Sequence, residues 1–259
     1  FENVQSDGSD IRVTDAAGVQ LAREVVSINT TSQSGEMHVK VNLTSSTDTI
    51  LYVYYENSLA TEPGSQYGAE SVWSDYVAVW HMEELNITDV SGKGNNGTAN
   101  NMESDDVIDA IISSGLDYDG STDYTSVPDS PELSGGVKNF TWTFWARGKS
   151  LDDNYLFSKF LGVDDKDWGF EYNSGQGITF YYENGANNDG FCSSTTGSAP
   201  NNTWVLVQST WQADTRNSTI YINGAYENSC LNSYDLPDTS NPVEMGYNYL
   251  GYQKSSLDE

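Results

Sequence analysis

Asp117 and Asp119 alternate on one predicted strand, Glu83 and Glu84 stand side by side, and His38 and His81 are the only histidines. Glycoside cleavage needs two carboxylates flanking the scissile bond, one of them acting as a general acid. A Glu-x-Asp-x-x-Glu run, which would set such carboxylates along one strand, does not occur. Asp117 and Asp119 do not make such a run, and Glu83 and Glu84 read as capping or solvating a strand end. His38 shares a strand face with Lys40, so it is expected in solvent. His81 lies in a mainly apolar segment and reads as a hydrogen-bonded core residue rather than a general base. A Ser-His-Asp triad therefore lacks its central member, and no catalytic residue is assigned.

Binding chemistry is better represented. Asp89-Val-Ser-Gly-Lys-Gly-Asn-Asn96 supplies oxygen donors in a Gly-rich loop. Hard Ca²⁺ takes six to eight such oxygens. A plain Gly/Asn turn without an ion is an equal alternative. The run from Asp117 to Asp123 places its Gly fourth rather than sixth, which excludes an EF-hand loop. Sugar recognition needs an aromatic platform with amides nearby. Trp145, Trp168, Tyr181 and Tyr182 are the candidates, although most strand aromatics belong to cores. Trp168 is the least core-like of these, since it sits in Asp164-Asp-Lys-Asp-Trp-Gly169.

The elements that would carry these residues are strands. Period-2 alternation marks Ile11–Thr14, His38–Val41, Thr49–Tyr55, Tyr76–Met82, Gly177–Tyr182, Trp204–Val207 and Ser218–Ile222. Within 140–146, Phe140, Trp142 and Phe144 face one way while Thr141, Thr143 and Trp145 face the other. Asn184-Gly185 and Asn223-Gly224 predict tight hairpin turns. A helical signal is confined to Asp105–Ile112. Residues 57–72 lose alternation and gain Pro63, Gly64 and Gly68, which predicts a division into modules 1–72 and 73–259. Many short strands with such turns predict an all-β, sandwich-like chain.

The chain has 259 residues, with 38 acidic against 11 basic side chains and a net charge of −27. Residues 1–76 carry −8 and the remainder −19, so the acidity is spread rather than gathered into a tail. A saline or halophilic setting and ordinary surface acidity explain this equally. Nucleic acid and anionic membrane are disfavoured as partners, because both need clustered Lys and Arg. No apolar run approaches the length of a membrane span, and Phe1-Glu2-Asn3 opens in polar sequence without a leader pattern. Export is argued from two other features. Seven glycosylation sequons occur, at Asn29, Asn42, Asn86, Asn96, Asn139, Asn201 and Asn217. Cys192 and Cys230, the only cysteines, read as a disulfide, with two buried thiols as the alternative.

Several phrases, in order, resemble one family. They are Trp80-His-Met-Glu-Glu84, the Asp89–Thr98 segment, Leu116–Tyr124 with Val127-Pro-Asp-Ser-Pro131, Phe140–Ala146, Ile220–Gly224 and Leu257-Asp-Glu259. Together residues 77–259 resemble a laminin-G-like domain of the concanavalin A-like lectin/glucanase superfamily. The resemblance implies an antiparallel jelly-roll β-sandwich and a structural calcium at the Asp89–Asn96 loop. Asp258 could add a carboxylate to that site, because the chain ends of a jelly roll lie side by side. Ser9–Asp15 and Tyr52–Ser58 resemble a β module of unassigned function that often precedes such domains. Strands before Asp10 and one strand after Glu259 are expected from the family pattern. Exposed sheet edges left by missing strands would invite self-association.

The sequence thus predicts a non-catalytic extracellular recognition or adhesion protein with glycan as its ligand. A polysaccharide-degrading enzyme and a structural subunit of a filament or virion are the alternatives.

Overall fold

The computed structural model describes residues 3–148, 154–162, 165–183, 189–246 and 257–258. The chain forms two compact units, Phe1–His81 with Thr88–Asn95, and Met82–Ile87 with Asn96–Glu259. Residues 73–81 thus stay with the first unit rather than opening the second.

In the first unit, β1 (Arg12–Asp15) lies between β2 (Gln20–Leu21) and β5 (Leu51–Tyr54), while β3 (Arg23–Asn29) and β4 (Ser34–Val39) form a separate hairpin. Val13 is its fully buried apolar centre. Arg23 is buried beside it and donates to the carbonyls of Ile11 and Gly8 and to Glu62, which satisfies a charge that burial would otherwise penalise. A short helix α1 (Ala69–Val72) lies at the end of the 57–72 segment where alternation is lost.

One strand expectation and one helical expectation need correction. Tyr76–Met82 alternates but forms no strand. Its hydrogen bonds go in part to residues 89–95: Asp89 accepts the Val79 N–H, Asn95 donates to the Val77 carbonyl, and the Val90 N–H donates to the Val79 carbonyl. The helical signal at Asp105–Ile112 resolves into a single 3-10 turn, Ser104–Asp106, and a strand.

The second unit contains β6 (Thr98–Asn100), β7 (Val107–Asp109), β8 (Ser114–Leu116), β9 (Tyr124–Val127), β10 (Phe140–Gly148), β11 (Asn154–Gly162), β12 (Asp165–Asn173), β13 (Gly177–Glu183) and β14 (Asp189–Ser193). They are followed by β15 (Val205–Gln212), β16 (Asn217–Ile222), β17 (Ala225–Leu231), β18 (Val243–Met245) and β19 (Leu257–Asp258). These make a five-stranded sheet in the order β17-β16-β15-β10-β19, a seven-stranded sheet in the order β14-β13-β12-β11-β18-β9-β6 and a separate β7-β8 hairpin. Every pairing in both sheets is antiparallel. The non-sequential order is that of an antiparallel sandwich with crossovers.

Trp142 lies at the centre of the filling. It comes from the five-stranded sheet and packs on Trp168, Phe170 and Phe180 of the other, with ring centroids 5.2–5.6 Å apart. Val207, Trp211 and Ile220 continue this inward row. At the open edges Cys192 of β14 is bonded to Cys230 of β17, so one disulfide joins the two sheets. The β16–β17 hairpin turns at Asn223 and Gly224, with φ of 52° and 77°, the double left-handed turn expected of Asn-Gly. The corresponding turn at Asn184-Gly185 lies outside the described residues.

Candidate functional site

The four aromatic candidates separate by strand phase. Trp168 and Tyr182 are core residues: each is almost wholly buried, and their polar tips donate to the carbonyls of Leu133 and Tyr234. A ring enclosed on both faces offers nothing for a sugar to stack on, so these two are corrected from platform to core. Burial pushes the Tyr182 hydroxyl up to about 12. Trp145 and Tyr181 point outward, but from different sheets.

Tyr181 stands on the outer face of the seven-stranded sheet, edge-on to Phe160 and opposite the exposed Phe191 on β14. Burial raises its pKa, and the carboxylates of Asp189, Glu183 and Glu171 raise it further. Glu244, in the middle of the same sheet, points away from the inward Val243 and Met245. Burial pushes it up to about 7. This face gathers negative charge.

Trp145 stands on the outer face of the five-stranded sheet, which is different in kind. Phe140, Trp142 and Ala146 of β10 are buried, as are Val205, Val207 and Trp211 of β15 and Ile220 and Ile222 of β16. The intervening residues therefore face out. Their register makes three neighbouring rows. Arg147 faces Trp204, with the guanidinium carbon 5.1 Å from the ring centroid. Trp145 pairs with Leu206. Thr143 and Gln208 then continue into Tyr221 and Tyr226, whose rings meet edge-on at 6.0 Å. Thr141, Thr210, Thr219 and Ser229 add a fourth, hydroxyl-bearing row. None of these outward side chains is acidic, in a chain with 38 acidic residues. Two indoles, two phenols, an amide and a row of hydroxyls are the donor set of a sugar-binding platform.

Trp204, Gln208, Tyr221 and Tyr226 were not singled out from the sequence. The signal was present, since inward Val205 and Val207 put Trp204 and Gln208 outside, and inward Ile220 and Ile222 do the same for Tyr221.

The remaining candidates are placed as follows. Asp89 is buried, and its carboxylate accepts the backbone N–H groups of Val79, Ser91 and Asn95 at 2.9–3.0 Å. These three bonds close the turn between Val79 and Asn95. Asn96 is exposed and belongs to the second unit. Asp258 pairs in register with Arg147, but its side chain lies outside the described residues. Asp119 accepts the N–H groups of Ser121, Thr122 and Asp123. Burial opposes the charge on Asp119, yet these donors hold its pKa below the ordinary value. It closes a turn.

His38 is corrected as well. It stacks in parallel on His81 with centroids 5.9 Å apart, and Trp73 lies edge-on to both rings. Glu24 receives the Trp73 indole N–H and lies 3.1 Å from the His81 ring nitrogen.

A family model for the concanavalin A-like lectin/glucanases superfamily matches residues 119–259. The chain belongs to this superfamily. Residues 7–75 match a domain of unknown function, DUF2341. No curated protein matches the chain. Among solved structures, the superfamily fold is shared with domain 4 of AbnA, an extracellular arabinanase from Geobacillus stearothermophilus, solved in complex with arabinotriose. Identity is 17%, the TM-score is 0.52, and the match covers 70% of this chain and 88% of that one. The botulinum neurotoxin serotype D binding domain matches at 13% identity and TM-score 0.53, over 70% of this chain and 47% of that one. The binding domain of botulinum neurotoxin DC, in complex with SialylT, matches at 15% and 0.53, over 70% and 45%. The chain spans less than half the length of these neurotoxin domains, and the likeness is one of superfamily fold. Among the described residues, no helix is long and apolar enough to cross a membrane.

Proposed function

We propose that this chain is a non-catalytic, extracellular recognition protein whose ligand is a glycan. The observation that carries this reading is the outer face of the five-stranded sheet, where Trp145, Trp204, Tyr221 and Tyr226 stand in rows with Gln208 and threonines. Aromatic faces stack on the C–H side of a sugar while amides and hydroxyls meet its O–H groups. Solved complexes of AbnA domain 4 and a neurotoxin binding domain with saccharide ligands support the reading at the level of the fold. The disulfide between β14 and β17 supports an oxidising, extracellular location.

The competing enzyme reading draws on the carboxylates around Tyr181 and on Glu244. A glycan array run beside a reducing-sugar assay separates the two. Retention without product is the expected result, and turnover would replace recognition by hydrolysis.

Calcium enters as a titration. Asp89 is already engaged by three backbone donors, so the loop is proposed to hold its fold without an ion. Melting curves with Ca²⁺ and with chelator should coincide. A rise of several degrees in Ca²⁺ would return the cation to Asp89, Asn96 and Asp258.

A further inference from the structure

We infer that the ligand is an uncharged, extended oligosaccharide lying across strands β10, β15, β16 and β17, and that anionic glycans are excluded. This rests on the glycan reading above and specifies its site and ligand class. Charge is the first argument. With 38 acidic and 11 basic side chains, the molecule repels a polyanion, and binding one would need a basic cluster to offset that repulsion. The described side chains of this face include one cation, Arg147, whose guanidinium already lies over the Trp204 ring. The hydroxyls and amides here, Thr143, Gln208, Thr210 and Thr219, suit neutral O–H partners.

Geometry supplies the second argument. Trp145 on β10 and Tyr226 on β17 stand at opposite sides of the face, separated by three strand spacings, or about 14 Å. Tyr226 ends the row Thr143–Gln208–Tyr221–Tyr226, and Trp145 stands one row over from Thr143, paired with Leu206, so the two aromatics are joined diagonally. A monosaccharide would cover one ring, whereas a short oligosaccharide would touch the aromatics at both sides. The chain therefore runs across the strands. The outer face of the seven-stranded sheet offers no equivalent, because its aromatics Tyr181 and Phe191 stand among Glu171, Glu183 and Asp189.

The test presents the full chain with two panels at low and at physiological salt. One holds neutral gluco-, xylo-, manno- and arabino-oligosaccharides of increasing length; the other holds uronate, sulfated and sialylated glycans. Binding is expected only on the neutral panel, tightening with length until the face is spanned and changing little with salt. Trp145→Ala and Tyr226→Ala should each weaken it about tenfold, the size of one stacking contact. Tyr226 is largely exposed, so its removal spares the fold, and Thr143→Glu offers a second way to spoil the face without deleting a ring. Phe191→Ala, on the other sheet, should bind normally. Preference for anionic glycans would overturn the inference while leaving glycan recognition standing. So would neutral binding lost in Phe191→Ala but kept in the Trp145 and Tyr226 variants. Failure of both panels to bind would remove the recognition function itself, and the inference with it.

Discussion

Lys159 has no exposed surface, and its ammonium group is held by Asp167 at 2.7 Å, Asp129 at 3.0 Å and the Thr239 carbonyl at 2.6 Å. Asp167 is equally buried and also accepts the Thr239 N–H. Removing one partner of such a pair leaves a desolvated charge behind. Lys159→Met should therefore cost about 3–5 kcal/mol, read as a lower denaturant midpoint; an unchanged midpoint would mean that Asp167 reaches water. The same cluster explains why Trp168 was misread. Its polar neighbours suggested exposure, but Asp167 is polar because it answers a buried lysine, and sequence spacing carries no record of a partner eight residues away in the next strand. Glu244 gives a pH signature at this scale. Burial moves it from 4.5 to about 7, so the folded chain holds its proton more tightly than the unfolded chain. The stability it contributes is full below about pH 4.5 and is lost as the pH rises through about 7. Glu244→Gln should flatten the fall in melting temperature across that window. An undiminished slope would assign the fall to another group.

At the scale of elements, strand phase was the most legible feature. Thr141, Thr143 and Trp145 were placed opposite Trp142 by alternation alone, because burial on one face of a strand imposes period 2. Asn223-Gly224 was legible for an equally local reason, since both residues adopt positive φ. The order of strands was not legible from local pattern: β18 lies between β11 and β9, far from both in sequence. Nor did alternation show that Tyr76–Met82 bonds to the loop 89–95 rather than to a neighbouring strand. The disulfide is the element-level feature with the clearest energetic consequence. It closes a loop across a separation of 38 residues, and losing that constraint should cost about 3–4 kcal/mol in the chain-entropy picture. Cys192→Ala with Cys230→Ala should therefore lower stability and speed amide exchange in β14 and β17 more than in β10 and β15. Uniform acceleration would show that the bond supports the whole sandwich rather than its open edges.

For the whole molecule, charge is the property that no local interaction cancels. If each of the 11 cations paired with a carboxylate, 27 carboxylates would still be unpaired. Pairs such as Arg216–Asp235 and Lys40–Asp75 relieve the repulsion at single points, and exposed pairs of this type contribute little. The excess is spread over both parts of the chain, so its effect is a general self-repulsion that favours expansion. Screening acts on that repulsion directly: the Debye length falls from about 30 Å at 0.01 M salt to about 10 Å at 0.1 M. The melting temperature should accordingly rise with NaCl, most steeply over that interval, and KCl at equal ionic strength should give the same curve. A fall with salt would show that ion pairs such as Lys159–Asp167 outweigh the net repulsion. A rise continuing well beyond 0.1 M and differing between the two salts would point to specific ion binding by the acidic surface, which is the behaviour a saline habitat would select.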